Sequence, residues 1–170
     1  MRKILIAIFL LLPSHSFAID FVIEKHIPNA KLVGSGKLSE MFWDIYNAEL
    51  YAPNGEYIEG KPLALKIEYL RDIKTQKIAD QIVEDIKEQG VEDGQKLNKW
   101  RKDIMNSIPD VEDGTTITGI YTKDKKTVFY TNGGMKKIIN DEEFGQKFFD
   151  IWLSPNTTEP RLRKKLLGQI

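Results

Sequence analysis

The chain of 170 residues contains no cysteine and only two histidines, His15 and His26. Without thiols there are no disulfide staples and no cysteine nucleophile, so the fold must be held by its core alone. A single histidine beyond residue 18 leaves no zinc or copper cluster of ordinary ligand composition. A Ser-His-Asp triad would have to use His26, and no serine sits in a nucleophile-elbow sequence. His26 reads instead as a surface or strand-end residue. An excess of charge is missing too, with 25 Lys and Arg against 25 Asp and Glu. That balance argues against nucleic acid or an anionic membrane as the main partner. The short basic clusters at 123–126 and 161–165 read as solvated faces. No apolar run approaches the roughly 20 residues of a membrane-spanning helix.

What is present begins with Met1-Arg2-Lys3, the apolar run Ile4 to Leu12, and a polar stretch closing on Ser16-Phe17-Ala18. This is the layout of a secretory signal peptide. The expected organisation is a signal segment at 1–18 and a single domain at 19–170, working in the periplasm or outside the cell after cleavage near Ala18. No cysteine follows the run, which excludes a thioether-linked lipid anchor. Export removes Arg2 and Lys3, leaving 23 basic against 25 acidic residues. It also takes the protein away from ATP, reduced nicotinamide and coenzyme A, so no cofactor is expected.

The first half reads as strands. Residues 30–36 form a short glycine-punctuated one. In 42–52, Phe42, Asp44, Tyr46, Ala48, Leu50 and Ala52 alternate with Trp43, Ile45, Asn47, Glu49 and Tyr51. Pro53-Asn54-Gly55 makes a turn, and a strand at 62–70 sets Leu63, Leu65, Ile67 and Tyr69 on one face. Then the period changes. Ile78, Ile82 and Ile86 mark a helix over 73–89, with Asp72 as the expected cap and Gly90 as the stop. Leu97, Trp100, Ile104 and Ile108 mark a second, ended by Pro109, with Trp100 facing the core. Strands return at 115–121, 127–131 and 135–139. Asn140 and Glu143 suggest a capping box for a helix bearing Phe144, Phe148, Phe149 and Trp152. Thr158 would cap a last helix, with Leu162, Leu166 and Leu167 packing down and Gly168 as its end. The order implies an α+β fold, an antiparallel sheet with helices on one face.

Several segments together carry a family resemblance: Leu32-Val33-Gly34-Ser35-Gly36, Ile45-Tyr46-Asn47-Ala48-Glu49-Leu50-Tyr51-Ala52, Tyr69-Leu70-Arg71-Asp72-Ile73, Ile108-Pro109-Asp110-Val111 before Gly114, Phe129-Tyr130-Thr131-Asn132-Gly133, Phe149-Asp150-Ile151-Trp152-Leu153-Ser154-Pro155, Arg161-Leu162-Arg163 and Leu166-Leu167-Gly168. In their order and spacing the chain resembles the exported bacterial group of chalcone isomerase-like proteins, from about residue 30 to 168. The resemblance implies an open-faced β-sandwich with a cleft between sheet and helices. The wider family holds plant enzymes that cyclise chalcones, fatty-acid-binding relatives and members without demonstrated chemistry. The plant enzymes use an arginine and a threonine on core strands and a helical tyrosine-asparagine pair. Here the arginine position falls near Gly34, the threonine position on Tyr46 and a late threonine near Phe149 or Asp150, while 77–89 has no clear tyrosine-asparagine match. These departures argue against chalcone cyclisation. The fatty-acid-binding relatives grip a carboxylate with arginine and tyrosine, for which Arg71, Tyr46 and Tyr69 are the available substitutes.

Arg71 has a competing structural reading, as the anchor of a strand-to-helix junction through a salt bridge or backbone contact. The aromatic residues Phe42, Trp43, Tyr46 and Tyr51, facing Phe144, Phe148, Phe149 and Trp152, would either enclose an apolar pocket or form ordinary core. The leading expectation is a non-catalytic protein binding a small apolar or amphipathic molecule such as a fatty acid, with Tyr46, Tyr69, Arg71 and Trp152 as candidate ligand contacts. No catalytic residue and no metal ligand is assigned. One alternative is a cofactor-independent isomerase or lyase, which needs an acid or base in the cleft with a shifted pKa. The other is an envelope protein-interaction module using the 90–94 loop and the terminal basic helix. A monomer or weak homodimer is expected.

Overall fold

The computed structural model describes residues 21–170; the signal segment expected at 1–18 and the cleavage expected near Ala18 lie outside the described residues. The elements run α1 (Phe21–His26), β1 (Ala30–Glu40), β2 (Trp43–Pro53), β3 (Leu63–Tyr69), α2 (Thr75–Glu88), α3 (Gly94–Ser107), β4 (Thr116–Tyr121), β5 (Thr127–Thr131), β6 (Met135–Ile139), α4 (Glu142–Leu153) and α5 (Pro160–Leu166). The six strands form one sheet in sequence order, each antiparallel to the next. The α2–α3 pair is inserted between β3 and β4, which remain neighbours.

Strand alternation decides which residues meet the helices. Ala48 and Leu50 of β2, Leu63, Leu65, Ile67 and Tyr69 of β3, and Ile117 and Tyr121 of β4 share one buried cluster with the apolar stripes of α2 to α5. The expected facing of β3 is therefore the observed one. The four expected helices, α2 to α5, lie on one face as expected, and a further short helix that the sequence did not reveal, α1, packs on the opposite side. There Val22, Ile23 and Ile27 cover Tyr51, Ala64, Ile120, Val128 and Tyr130. Six residues are too few to display a helical period, so this element carries no sequence signal.

His26 is correspondingly not a free surface or strand-end group. It closes α1, and its Nε2 lies 2.9 Å from the Tyr130 hydroxyl. Burial, reinforced by Lys136 and Lys25, holds its imidazole below the usual histidine range.

Three expected caps also differ. The first turn of α2 is not capped by Asp72: the Thr75 amide donates to Asp110 Oδ1 at 2.9 Å, across a loop distant in sequence. Asp72 Oδ1 instead accepts the Asp113 amide. Asp141, not Asn140, caps α4; its Oδ1 accepts the Phe144 amide at 3.0 Å and its Oδ2 accepts Trp100 Nε1–H at 2.9 Å. Trp100 is fully buried, facing the core as expected. The cap position of α5 is Glu159 rather than Thr158, with Pro160 as its first helical residue. At the far end of α5 the helix lies directly on β1. A Cβ added to Gly34 would stand 2.2 Å from the Lys165 carbonyl oxygen, so only glycine permits this approach.

Candidate functional site

Between the sheet and the helical layer lies a cavity of about 550 Å³. Its apolar wall includes Leu65 and Ile67 of β3, Ile117 of β4, Ile78 and Ile82 of α2, and Phe148 of α4. This size falls within the ordinary range of small-molecule pockets. All four candidate contact residues, Tyr46, Tyr69, Arg71 and Trp152, line it.

The polar centre follows from strand register. Tyr46 of β2 is paired with Tyr69 of β3, so both rings project toward the helices and meet edge-on with centroids 6.0 Å apart. From α4, Trp152 Nε1–H donates to the Tyr46 hydroxyl oxygen at 2.8 Å. Accepting that proton leaves Tyr46 its own O–H to give. Tyr69 is 6 % exposed, and its hydroxyl has no hydrogen-bond partner among the described residues. Burial pushes both phenols above the ordinary tyrosine range; at Tyr46 the Trp152 hydrogen bond opposes this, while Tyr69, Glu159 and Asp85 add to it. Both are neutral donors across the physiological range.

Arg71 stands on the cavity wall between β3 and α2. Among the described residues it makes neither the salt bridge nor the backbone hydrogen bond of the competing structural reading. Its guanidinium lies over the Trp43 ring, 5.1 Å from the centroid, and has no carboxylate partner among the described residues. A cation–π contact satisfies the face of the group and leaves its edge donors available.

The aromatic enclosure is smaller than the composition suggests. Tyr46, Phe148 and Trp152 line the cavity, whereas Tyr51 belongs to the opposite face of the sheet. Phe144 and Phe149 are packed in the core. Phe42 is 95 % exposed at the β1–β2 turn, beyond the helices that cover the rest of the strand.

Sequence reasoning missed the acidic side of the cavity. Asp85 of α2 and Glu159 line it with Glu40. Burial raises the Asp85 carboxyl above its usual range, with Glu88, Glu159 and Glu84 adding to it and a hydrogen bond from Gln81 opposing. Glu159 is raised by burial and by Glu40. A signal was there: Lys74, Lys77, Gln81 and Asp85 recur at helical spacing beside the Ile78–Ile82–Ile86 stripe, and all four line the cavity. This wall of α2 runs from cationic at its N-terminal end to anionic three turns on. Among the described residues no group of three or more His, Cys, Asp or Glu is placed to hold a metal ion.

Three comparisons bear on this arrangement. A family model described as chalcone isomerase-like matches residues 21–168. An uncharacterised protein of Haemophilus influenzae is 27 % identical over 138 residues, covering 81 % of this chain and 67 % of that protein. Among solved structures, a fatty-acid binding protein of Arabidopsis thaliana superposes with a TM-score of 0.63 at 12 % identity, over 82 % of this chain and 87 % of that one. At that identity the likeness is one of fold.

Proposed function

The chain belongs to the chalcone isomerase-like family, and on that premise we propose that it is an exported, non-catalytic binding protein whose cavity holds a small amphipathic molecule of the fatty-acid type. The observation that carries this reading is the pairing of an apolar cavity of about 550 Å³ with an arginine and a buried tyrosine that have, among the described residues, no anion and no hydrogen-bond partner respectively. Arg71 and Tyr69 together offer a fork and a hydroxyl to one carboxylate. The acidic wall at Asp85 and Glu159 repels such a head group, which orients it toward Arg71 and leaves the alkyl chain against Ile82, Phe148 and the sheet. The N-terminal segment supports export, and the fatty-acid binding of the Arabidopsis neighbour is consistent with the ligand class.

The non-catalytic part rests on Gly34 and Tyr46. The position where the plant enzymes carry an arginine is closed by the backbone of α5, since even a methyl group at Gly34 would collide with Lys165. The threonine position is occupied by a bulkier phenol whose oxygen accepts from Trp152 Nε1–H. The test is titration of delipidated protein with palmitate. Arg71→Ala should weaken binding by about ten- to a hundredfold, the worth of a charge-assisted hydrogen-bonded pair. Unchanged affinity in that variant defeats the assignment.

One observation favours a second reading, a cofactor-independent isomerase or lyase. Asp85, with a raised proton affinity, shares the cavity with two phenol donors, the pairing of base and oxyanion donors that proton transfer beside a carbonyl requires. Turnover of a ketone-bearing amphiphile that Asp85→Asn abolishes without loss of binding would establish it in place of the first.

A further inference from the structure

The two most exposed large apolar side chains among the described residues are adjacent, and a third exposed aromatic follows them. Met41 is 93 %, Phe42 95 % and Trp43 63 % exposed, and they form the tip of the β1–β2 hairpin. The turn has two residues, because Glu40 pairs with Trp43. Such turns favour glycine, asparagine or aspartate, and Met41 holds a φ of 54° in the region that disfavours a large side chain. The stem does not need this tip. Lys37 Nζ and Ser39 Oγ each reach Asp44 at 2.6 Å and fix the two strands together. A polar turn would serve the fold better, so the tip's apolar surface is turned outward for another purpose.

We infer that the Met41–Phe42–Trp43 tip inserts into a phospholipid bilayer and brings the mouth of the cavity to the membrane surface. The inference rests on the amphiphile-binding reading of the cavity, and three observations select the bilayer over a protein partner. The tip is the protruding end of the cavity wall itself, since Leu38 and Glu40 before it and Ile45 and Tyr46 after it all line the cavity. Its two aromatic side chains offer about 500 Å² at most, and the single Met41 beside them does not bring this to the roughly 800 Å² per partner of a stable protein interface. A convex point of this size has no groove to register a partner, and fluid lipid needs none. Beside it, Arg71 presses on the Trp43 ring without an internal anion. An aromatic ring with a guanidinium at its face suits the level of the phosphate groups, where tryptophan and arginine settle at membrane surfaces. Of the stem charges, Lys37 and Asp44 neutralise each other, and Glu40, at the base of the turn, lines the cavity.

Trp43 reports the event directly, because Trp100 and Trp152 are buried. The full domain is mixed with vesicles of phosphatidylethanolamine and phosphatidylglycerol, following Trp43 emission and its quenching by brominated lipid. The comparison is Met41→Asn/Phe42→Gly, which gives the turn its preferred residues and leaves the cavity intact. The wild type should shift to the blue and be quenched. The variant should lose at least tenfold in vesicle partitioning while melting no lower and binding palmitate in solution as the wild type does. Absence of a shift in the wild type, or equal partitioning of the variant, overturns the inference. So does concentration-dependent self-association that the variant abolishes, which would assign the tip to a second copy of the chain. Palmitate binding is read separately, so its loss in the wild type would remove the cavity reading while leaving the vesicle result on its own terms.

Discussion

Tyr46 and Tyr69 differ in what removing a hydroxyl would do, although both are buried phenols of the same cavity. Tyr46→Phe takes the acceptor from Trp152 Nε1–H and leaves a buried donor unsatisfied. That should cost about 1–3 kcal/mol in chemical denaturation. Tyr69→Phe removes a hydroxyl with no internal partner, so stability should move by less than about 0.5 kcal/mol while palmitate affinity falls by about tenfold. Equal effects of the two on stability would show that Tyr69 is satisfied in some other way. Asp85 gives a pH-dependent counterpart. Its carboxyl has a raised proton affinity in the fold, so its favourable contribution is complete below the unfolded-state value and is lost as pH rises through the folded one. Asp85→Asn should therefore raise the melting temperature at neutral pH and leave it nearly unchanged under strongly acidic conditions. A fall at neutral pH would mean that the carboxylate is stabilised, not penalised, where it stands.

Among the elements, α5 and α1 are held by different devices. The C-terminal end of α5 rests on β1 through contact that excludes a methyl group at Gly34. Gly34→Ala should cost about 1–3 kcal/mol as an overpacking change, with enhanced amide exchange in α5 and β1 identifying where the strain is released. For α1, burial of His26 makes its charged form unfavourable, an effect that Lys136 and Lys25 strengthen. Its stabilising contribution is present above the unfolded histidine value and is lost as pH falls through the lowered folded one. On acidification the amides of Val22 to Ile27 should exchange earlier than those of α2; uniform exchange would show that His26 does not govern α1. These two helices also mark what the sequence could reveal. The alternation in Leu63, Leu65, Ile67 and Tyr69 and the four-residue recurrence of Ile78, Ile82 and Ile86 are local patterns, and the structure follows them. Docking of α1, the cap supplied to Thr75 by Asp110 and the seat of α5 on Gly34 depend on residues distant in sequence, and no local pattern encodes them.

For the whole molecule, a six-stranded antiparallel sheet carries most of its helices on one face and leaves a cavity between the two layers. Of the four candidate contacts, Tyr46, Tyr69 and Arg71 were suggested by the resemblance to relatives that grip a carboxylate with arginine and tyrosine, and Trp152 by the aromatic face of its helix. Their meeting depends on the Tyr46–Tyr69 register and on the placement of α4, neither of which periodicity reports. Asp85 escaped notice for a related reason, since an acid beside an apolar stripe looks like an ordinary solvated position until the cavity is seen. The central claim is that this space binds one amphiphile with its carboxylate at Arg71. Native mass spectrometry of the delipidated domain with palmitate tests it most directly. The account predicts one bound molecule per chain, with occupancy sharply reduced in Arg71→Ala. No adduct in the wild type, or equal occupancy in the variant, would contradict it.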